Sequence, residues 1–122
     1  MTIESKANNW RPTAKLPALQ ARAEFYRTIR EFFAAREVLE VETPLMAARG
    51  VTDPYIQAFG VDDKYLQTSP EYAMKRLLSA GCGSIYQICK AFRREEAGNF
   101  HNPEFTMLEW YRLGFDHLQL MD

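Results

Sequence analysis

The stretch FRREEAGNFHNPEFTMLEWY, residues 92–111, decides the fold of this chain. It joins two β-prone runs, Ser84–Arg94 and Glu104–Arg112, through a polar loop of residues 95–103. Such runs on either side of a loop that contains Gly and Asn are typical of paired neighbouring strands. The sequence therefore predicts a long-looped antiparallel hairpin.

The two arms of this hairpin form a candidate binding site. Side chains alternate between the faces of a strand, so Phe105, Glu109 and Tyr111 share one face of the return arm. Arg93 and Glu95 project together from the first arm if its pleat continues. An arginine suits a phosphate, an aromatic ring suits a base and carboxylates suit ammonium groups, so a nucleotide and a cation are possible ligands. Arg and Glu two residues apart on a strand more often form solvated charge pairs, and apolar residues such as Phe105 more often belong to the core. The binding site and this purely structural interpretation both stay open.

The elements before the hairpin mix both periodicities. Apolar residues at spacings of three and four predict an amphipathic helix over Ala18–Arg36. Residues 1–17 lack this period and are expected to form an irregular arm. Three strands are expected before the hairpin: Val38–Thr43, which lies near a sheet edge and ends at Pro44, then Tyr55–Val61 and Tyr65–Gln67.

The segment TSPE, residues 68–71, has the signature of a helix start. Thr68 is a candidate N-cap, Pro70 suits the first turn and Glu71 completes a capping box. Gly81 is expected to end this helix. Glu71 therefore has an ordinary structural explanation besides any role in a site.

The composition is that of one globular domain. The 122 residues are 47% hydrophobic and 25% charged, which excludes a disordered tail or a collagen-like chain. The net charge of -1 does not provide the broad basic surface of a small domain that binds nucleic acid or lipid. The longest uncharged stretch, Leu77–Cys89, is too short to span a bilayer, and the start lacks a signal-peptide pattern. We therefore expect a cytoplasmic protein without a membrane partner.

Residues 92–111 resemble the motif-two hairpin of class II aminoacyl-tRNA synthetases, a Phe-Arg-x-Glu strand followed by a loop and a return strand. The string HNPEFTMLE, residues 101–109, is typical of the lysyl branch. Residues 30–44 end in VETP and resemble motif one, the helix and strand that form the homodimer interface and finish in a structural proline, here Pro44. TSPE is similar to the substrate-loop element of the same branch.

Within the lysyl branch the chain is most similar to the elongation factor P–(R)-β-lysine ligases, a family of lysyl-tRNA synthetase paralogues. Residues 69–112 have this pattern throughout, including AGCG at residues 80–83. Because only a short arm precedes motif one, we do not expect the anticodon-binding OB domain of a lysyl-tRNA synthetase. The resemblance implies an α+β fold, an antiparallel sheet flanked by helices, with residues 18–122 forming the N-terminal part of the catalytic domain.

The resemblance implies activation of (R)-β-lysine or lysine by ATP, as an aminoacyl-adenylate, with Mg²⁺ as cofactor. The acyl group then passes to a lysine side chain of elongation factor P, so tRNA is not an expected partner. The implied ATP-binding residues are Arg93, Arg94, Glu95, His101, Asn102 and Phe105. Among them Arg93 grips the α-phosphate as the catalytic residue, and adenine stacks on Phe105.

The resemblance also implies a pocket for the amino acid, formed by Ser69, Pro70, Glu71, Glu109 and Tyr111. Glu71 and Glu109 would lie near a substrate ammonium group, and Tyr111 would form a hydrogen bond within the pocket. Carboxylates suit a substrate with two ammonium groups because burying an unpaired charge is costly.

No motif-three Gly-x-Gly-x-x-Arg pattern follows the hairpin, and the family's downstream acidic residues for Mg²⁺ are missing. We therefore expect the N-terminal part of a longer enzyme, unable to complete adenylation by itself and without a metal ligand of its own. Two alternatives stay open: part of a lysyl-tRNA synthetase catalytic domain, or a non-catalytic synthetase-like module for binding or dimerisation.

Overall fold

The structure is a computed structural model that describes residues 10–49, 57–94 and 102–121. The chain divides into two compact units, Met1–Phe32 and Phe33–Asp122. The helices within the described residues are α1 (Leu16–Ala34), α2 (Glu71–Ser79) and α3 (His117–Met121). The strands are β1 (Leu39–Glu40), β2 (Met46–Ala47), β3 (Gly60–Val61), β4 (Lys64–Leu66), β5 (Ile85–Phe92) and β6 (Glu104–Tyr111).

The first unit contains most of helix α1. The predicted helix is confirmed, although it begins at Leu16 rather than Ala18. Pro17 lies in the first turn, where a missing N–H breaks no helical hydrogen bond. Leu19 and Phe25 remain 52% and 63% exposed. The division into an irregular arm of residues 1–17 and a domain from residue 18 stays a prediction, because residues 1–9 are outside the described part of the chain.

The β5–β6 hairpin is the centre of the second unit and confirms the predicted pairing. The strands run antiparallel, in a register that extends from Ile85 opposite Tyr111 to Phe92 opposite Glu104. Most of the predicted loop between them, residues 95–101, lies outside the described residues. The alternation of residues along both strands therefore fixes which side chains share a face.

The main sheet has the strand order β1-β5-β6 and is mixed. β1 pairs with β5 in parallel, with Leu39 opposite Ile85 and Glu40 opposite Tyr86. The expected antiparallel pairing holds for β5 and β6, whereas β1 adds a parallel neighbour. Parallel neighbours need a long connection, and the residues from 41 to 84 provide one. The ladder of β1 is also shorter than the predicted strand Val38–Thr43.

The second sheet is antiparallel and has the order β2-β4-β3. β3 and β4 correspond to the predicted strands Tyr55–Val61 and Tyr65–Gln67, but each is only two or three residues long. Asp62 begins the turn between them with a φ of 54°, a conformation that aspartate tolerates. Residues 55 and 56 of the first predicted strand are not among the described residues.

The two faces of the hairpin have different surroundings. On one face Tyr86 is 2% exposed, and its ring stacks on Phe33 with centroids 4.2 Å apart. The opposite face carries Ile85, Gln87 and Ala91, which are all buried. Because Glu109 lies opposite Gln87 in the register, the candidate site lies on the face that does not hold Phe33.

Helix α2 begins differently from the prediction. Its N-cap is Pro70, which provides no side-chain capping hydrogen bond. Thr68 does not receive the N–H of Glu71, so the predicted capping box of Thr68 and Glu71 is wrong. Ser69 Oγ instead accepts a hydrogen bond from the backbone N–H of Glu71 at 3.4 Å.

The end of helix α2 follows the prediction. Gly81 has a φ of +88°, the left-handed conformation that glycine adopts without steric cost. The N–H of Gly81 donates to Leu78 and the N–H of Cys82 donates to Leu77, the hydrogen bonds of a Schellman motif. Within the described ranges no helix combines the length and the apolar character needed to cross a membrane.

Candidate active site

The register of the hairpin brings the predicted site residues of both arms to one face. Phe105 lies opposite Ala91, Glu109 opposite Gln87 and Tyr111 opposite Ile85. Arg93 follows Ala91 by two residues and therefore projects to the same side. The prediction that Arg93, Phe105, Glu109 and Tyr111 share a face is confirmed.

Arg93 is held in place by its backbone and its side chain. Its N–H donates to the carbonyl of Pro103 at 2.9 Å, and its Nε donates to the carbonyl of Thr68 at 3.2 Å. The guanidinium carbon lies 5.3 Å from the centroid of the Phe105 ring. An arginine fixed through Nε and an aromatic face presents its terminal nitrogens in a defined direction, which suits an anion such as phosphate.

Glu109 and Tyr111 form a polar pair within the sheet face. The Tyr111 hydroxyl donates a hydrogen bond to Glu109 Oε2 at 3.3 Å, and both residues are half-buried. Burial raises the pKa of the Glu109 carboxyl, and the charge of Glu71 raises it further. The Tyr111 hydrogen bond and the nearby cations Lys75 and Arg93 act in the opposite direction on that pKa.

The Tyr111 phenol is strongly biased toward its protonated form. Burial and the negative charges of Glu109 and Glu71 raise its pKa to about 12. The hydroxyl therefore remains a hydrogen-bond donor at neutral pH. A protonated phenol next to a carboxylate keeps that carboxylate oriented, which suits a pocket that receives an ammonium group.

Helix α2 begins at Glu71, the third carboxylate or phenol of the predicted pocket. Glu71 is half-buried in the first turn of the helix, and its Oε1 lies 2.6 Å from Nζ of Lys75. The charge of Glu71 raises the pKa values of both Glu109 and Tyr111. That Glu71, Glu109 and Tyr111 line one pocket stays a prediction.

Ser69 and Pro70 form the approach to helix α2. Ser69 is half-buried and uses its Oγ to accept the backbone N–H of Glu71. Pro70 is fully buried, so its side chain supports the start of the helix. Their predicted contact with the amino-acid substrate stays a prediction.

The remaining predicted site residues are exposed or are not among the described residues. Arg94 is exposed, its N–H donates to the carbonyl of Gln57 at 3.1 Å, and its guanidinium carbon lies 5.9 Å from the Phe59 ring. Asn102 is exposed, and so is Pro44 at the predicted dimer interface. Glu95 and His101 are not among the described residues. The ATP-binding and dimerisation roles of all these residues stay predictions.

Two residues of the site were not assigned from the sequence. The Thr68 carbonyl positions Arg93, a role that no side-chain pattern could indicate. Lys75 pairs with Glu71, and here a signal was present, because Glu and Lys four residues apart on a helix face each other. The capping-box interpretation assigned Glu71 to another partner and concealed that pair.

No group of three or more His, Cys, Asp or Glu side chains within residues 10–49, 57–94 and 102–121 could hold a metal ion. The described residues of the site are an arginine, an aromatic ring, carboxylates, a phenol and a lysine. Such a set can bind an anionic nucleotide and a cationic organic molecule side by side.

Similar proteins share this region. An elongation factor P–(R)-β-lysine ligase from Pseudoalteromonas translucida is 56% identical over 124 residues, which cover 93% of this chain and 38% of that protein. A protein of the same name from Vibrio cholerae is 55% identical over 125 residues, covering 94% of this chain and 39% of the relative. The one from Enterobacter sp. is 50% identical over 128 residues, covering 97% and 39%.

The chain thus spans about two fifths of the length of the curated relatives that it matches. A family model described as tRNA synthetases class II (D, K and N) matches residues 4–122. The match includes the β5–β6 hairpin and helix α2, the elements that carry the candidate site, and the resemblance seen in the sequence is confirmed. This chain belongs to the family of class II tRNA synthetases of the D, K and N type.

Proposed function

We propose that the full-length protein is an ATP-dependent ligase that activates (R)-β-lysine and transfers it to a lysine side chain of elongation factor P. The names of the similar ligases support this assignment of substrate and partner. The family match supports the use of ATP, since aminoacyl-adenylate formation is the reaction that the resemblance implies. Lysine itself is the closest alternative substrate. We further propose that the protein is a homodimer, with Pro44 at the interface.

One observation carries the proposal: one face of the β5–β6 hairpin has side chains that suit an anionic nucleotide and side chains that suit a cationic amino acid. Arg93 and Phe105 provide a cation and an aromatic ring at one end. Glu109 and Tyr111 lie toward the other end, and the charge of Glu71 on α2 acts on the pKa values of both. Phe105 and Glu109 are four residues apart, which corresponds to about 13 Å along a strand. This spacing suits a nucleotide bound next to an amino acid.

The activation step needs little general acid or base catalysis from the protein. The substrate carboxylate is ionised at neutral pH and attacks the α-phosphorus of ATP, with pyrophosphate as leaving group. Positioning and charge stabilisation therefore dominate the catalysis. In the proposal Arg93 binds the α-phosphate and neutralises the negative charge that develops there. Mg²⁺ would stabilise the departing pyrophosphate, and no described residue is assigned to it.

The second step moves the acyl group. The ε-amine of a lysine of elongation factor P attacks the carbonyl carbon of the adenylate. An amide bond forms, the acyl–phosphate bond breaks, and AMP leaves. During both steps Glu71 and Glu109 would hold the substrate through its ammonium groups, because each buried ammonium needs a counter-charge.

The test uses the full-length protein with ATP and radiolabelled (R)-β-lysine. Labelled acyl groups are collected on elongation factor P and, in a separate reaction, on tRNA. We expect label on elongation factor P, and we expect Arg93→Ala to abolish it through the loss of α-phosphate binding. Arg76→Ala is the matched control, because it removes the same charge from an exposed position on α2.

Each other outcome leads to a specific alternative. Label on tRNA in place of the protein would assign the chain to a lysyl-tRNA synthetase. Label on neither acceptor would leave a non-catalytic module for binding or dimerisation. A competition between unlabelled lysine and (R)-β-lysine in the same reaction identifies the preferred amino acid.

A further inference from the structure

Lys75 forms an ion pair with Glu71, one of the carboxylates that the proposed reaction needs. Its Nζ lies 2.6 Å from Oε1 of Glu71, one turn earlier on helix α2. Glu71 precedes Lys75 by four residues, which is the favourable order for such a pair in a helix. The pairing raises the pKa of Lys75, so its ammonium is charged at neutral pH. Glu71 Oε1 therefore already accepts a hydrogen bond from a cation of the protein itself.

The charge of Lys75 also acts on strand β6. The charge of Lys75 lowers the pKa of the Glu109 carboxyl, whereas the charge of Glu71 raises that pKa. The Tyr111 phenol responds to both Glu71 and Glu109. These four residues of α2 and β6 form one electrostatic group, which we call the carboxylate cluster.

An ammonium ligand that approaches Glu71 meets two obstacles within the carboxylate cluster. The Lys75 ammonium repels it, because like charges at short range are unfavourable. Oε1 of Glu71 also accepts a hydrogen bond from Lys75, so the positive charge of Lys75 already offsets part of the negative charge that a ligand ammonium would meet. A ligand gains the full attraction of Glu71 only when Lys75 moves away.

Lys75 can move away at small cost. Its side chain is 56% exposed, so water can take over the contacts of the ammonium. Exposed ion pairs are weak because water screens the charges and ordering two long side chains costs entropy. The ammonium sits on a flexible four-carbon stem, which can swing into solvent without moving the helix.

We propose that Lys75 is an internal competitor for the substrate's ammonium group: it pairs with Glu71 in the protein alone and is displaced when (R)-β-lysine binds. The inference rests on the proposed function, because it takes the substrate to be a diamine that Glu71 receives. Lys75 is a positioning residue, since it acts through Glu71 and does not touch the reacting atoms. It lowers the affinity for substrate and leaves the chemical step unchanged.

The test measures the dissociation constant of (R)-β-lysine for the full-length protein by calorimetry. Lys75→Met removes the charge and keeps an unbranched side chain of high helix propensity. We expect binding to become about three- to five-fold tighter, the change that corresponds to removing an exposed ion pair. In ATP–pyrophosphate exchange the KM should fall by the same factor while kcat stays constant. Lys75→Arg retains the charge and should therefore keep the wild-type dissociation constant.

Two further variants separate competition at Glu71 from a general charge effect. Arg76→Met removes a cation from the next residue of α2 and should leave the dissociation constant unchanged. In a Glu71→Gln background, Lys75→Met should have no effect, because the carboxylate for which it competes is gone. Unchanged or weaker binding by Lys75→Met overturns the proposal, and so does an equal gain from Arg76→Met.

Failure of the proposed function gives a different result. A wild-type protein that binds (R)-β-lysine but catalyses no exchange contradicts the proposed reaction, while tighter binding by Lys75→Met still supports the competition. A wild-type protein that does not bind (R)-β-lysine overturns both.

Discussion

The Tyr111 hydroxyl donates a hydrogen bond to Glu109 Oε2 across 3.3 Å, between two residues on the same face of one strand. The donor stays protonated because burial and nearby carboxylates raise the pKa of Tyr111 to about 12. The acceptor is stabilised as a carboxylate by this bond, although burial raises its pKa. The pair therefore keeps a charge in a half-buried position where water alone would not fully solvate it, and such a charge attracts a cationic ligand.

We expect Glu109→Gln to stabilise the fold at neutral pH and to weaken the binding of (R)-β-lysine. Burial raises the pKa of Glu109, so the folded state binds its proton more tightly than the unfolded state. Stability from this group is fully present below the unfolded pKa and is lost as the pH rises through the raised folded pKa. Glutamine stays neutral, still accepts the Tyr111 hydrogen bond and avoids that loss.

Urea unfolding at neutral pH and at about pH 4 checks this expectation. The free energy gained by Glu109→Gln should be larger at neutral pH. Glu104→Gln is the matched control, because it changes an exposed glutamate at the start of the same strand. An equal effect of Glu109→Gln at both pH values would contradict the raised pKa.

Tyr111→Phe should remove a tyrosine that ionises only in strongly alkaline solution. The chain has six tyrosines, so the ultraviolet absorbance of the variant is subtracted from that of the wild type during alkaline titration. The difference should be centred near pH 12, the pKa of Tyr111, and not near 10.0. The raised pKa also predicts that stability from Tyr111 declines as the pH rises above 10 and through 12, and that Tyr111→Phe removes this decline.

The denatured proteins provide the control for this titration. In concentrated urea the burial and the charges of Glu109 and Glu71 no longer act on Tyr111. The difference between wild type and variant should then be centred at about pH 10. A folded-state difference at the same pH would show that Tyr111 lies in water.

Gly81→Ala should lower the free energy of unfolding by about 1 kcal/mol. Gly81 has a φ of +88°, and an added Cβ meets no atom within 4 Å, so the cost is backbone strain and not a clash. Gly60→Ala is the matched control, since its Cβ would make only an ordinary contact with the Lys64 carbonyl at 4.0 Å. Denaturant unfolding of both variants measures the difference, and equal stabilities would exclude strain at Gly81.

The face of the hairpin could be predicted from sequence because alternation is a local property of a strand. Arg93, Phe105, Glu109 and Tyr111 were grouped correctly for this reason. The parallel pairing of Leu39 with Ile85 could not be predicted, because the partners are far apart along the chain and no local pattern marks them.

The start of helix α2 shows how a local signal fails. Thr68 and Glu71 have the spacing of a capping box, but Thr68 is buried, and its carbonyl binds Arg93. Glu71 is paired with Lys75 instead. A tertiary contact fixes Thr68, and its burial cannot be read from spacing, whereas the pair of Glu71 and Lys75 is local and has the spacing of facing residues on a helix.

Gln87 is another residue whose role depends on tertiary structure. It is 1% exposed, in the middle of β5. Its Oε1 accepts hydrogen bonds from the Thr43 N–H at 3.1 Å and hydroxyl at 3.3 Å, and its Nε2 donates to the Thr43 hydroxyl at 2.9 Å. This network ties the main sheet to the residue that precedes Pro44, the predicted dimer contact.

We expect Gln87→Ala to lower the free energy of unfolding by about 1–3 kcal/mol, because buried polar groups of Thr43 lose their partner. The control is Gln20→Ala on the exposed surface of helix α1, which should change stability by no more than about 0.5 kcal/mol. Denaturant unfolding measures both effects. In Thr43→Val, which lacks the hydroxyl, Gln87→Ala should cost less, because only the backbone N–H of residue 43 is left unpaired. Equal costs in the two backgrounds would show that the hydroxyl contributes nothing.

If Pro44 forms the dimer contact, Gln87→Ala should also weaken self-association in sedimentation experiments, because residue 43 no longer has a fixed position.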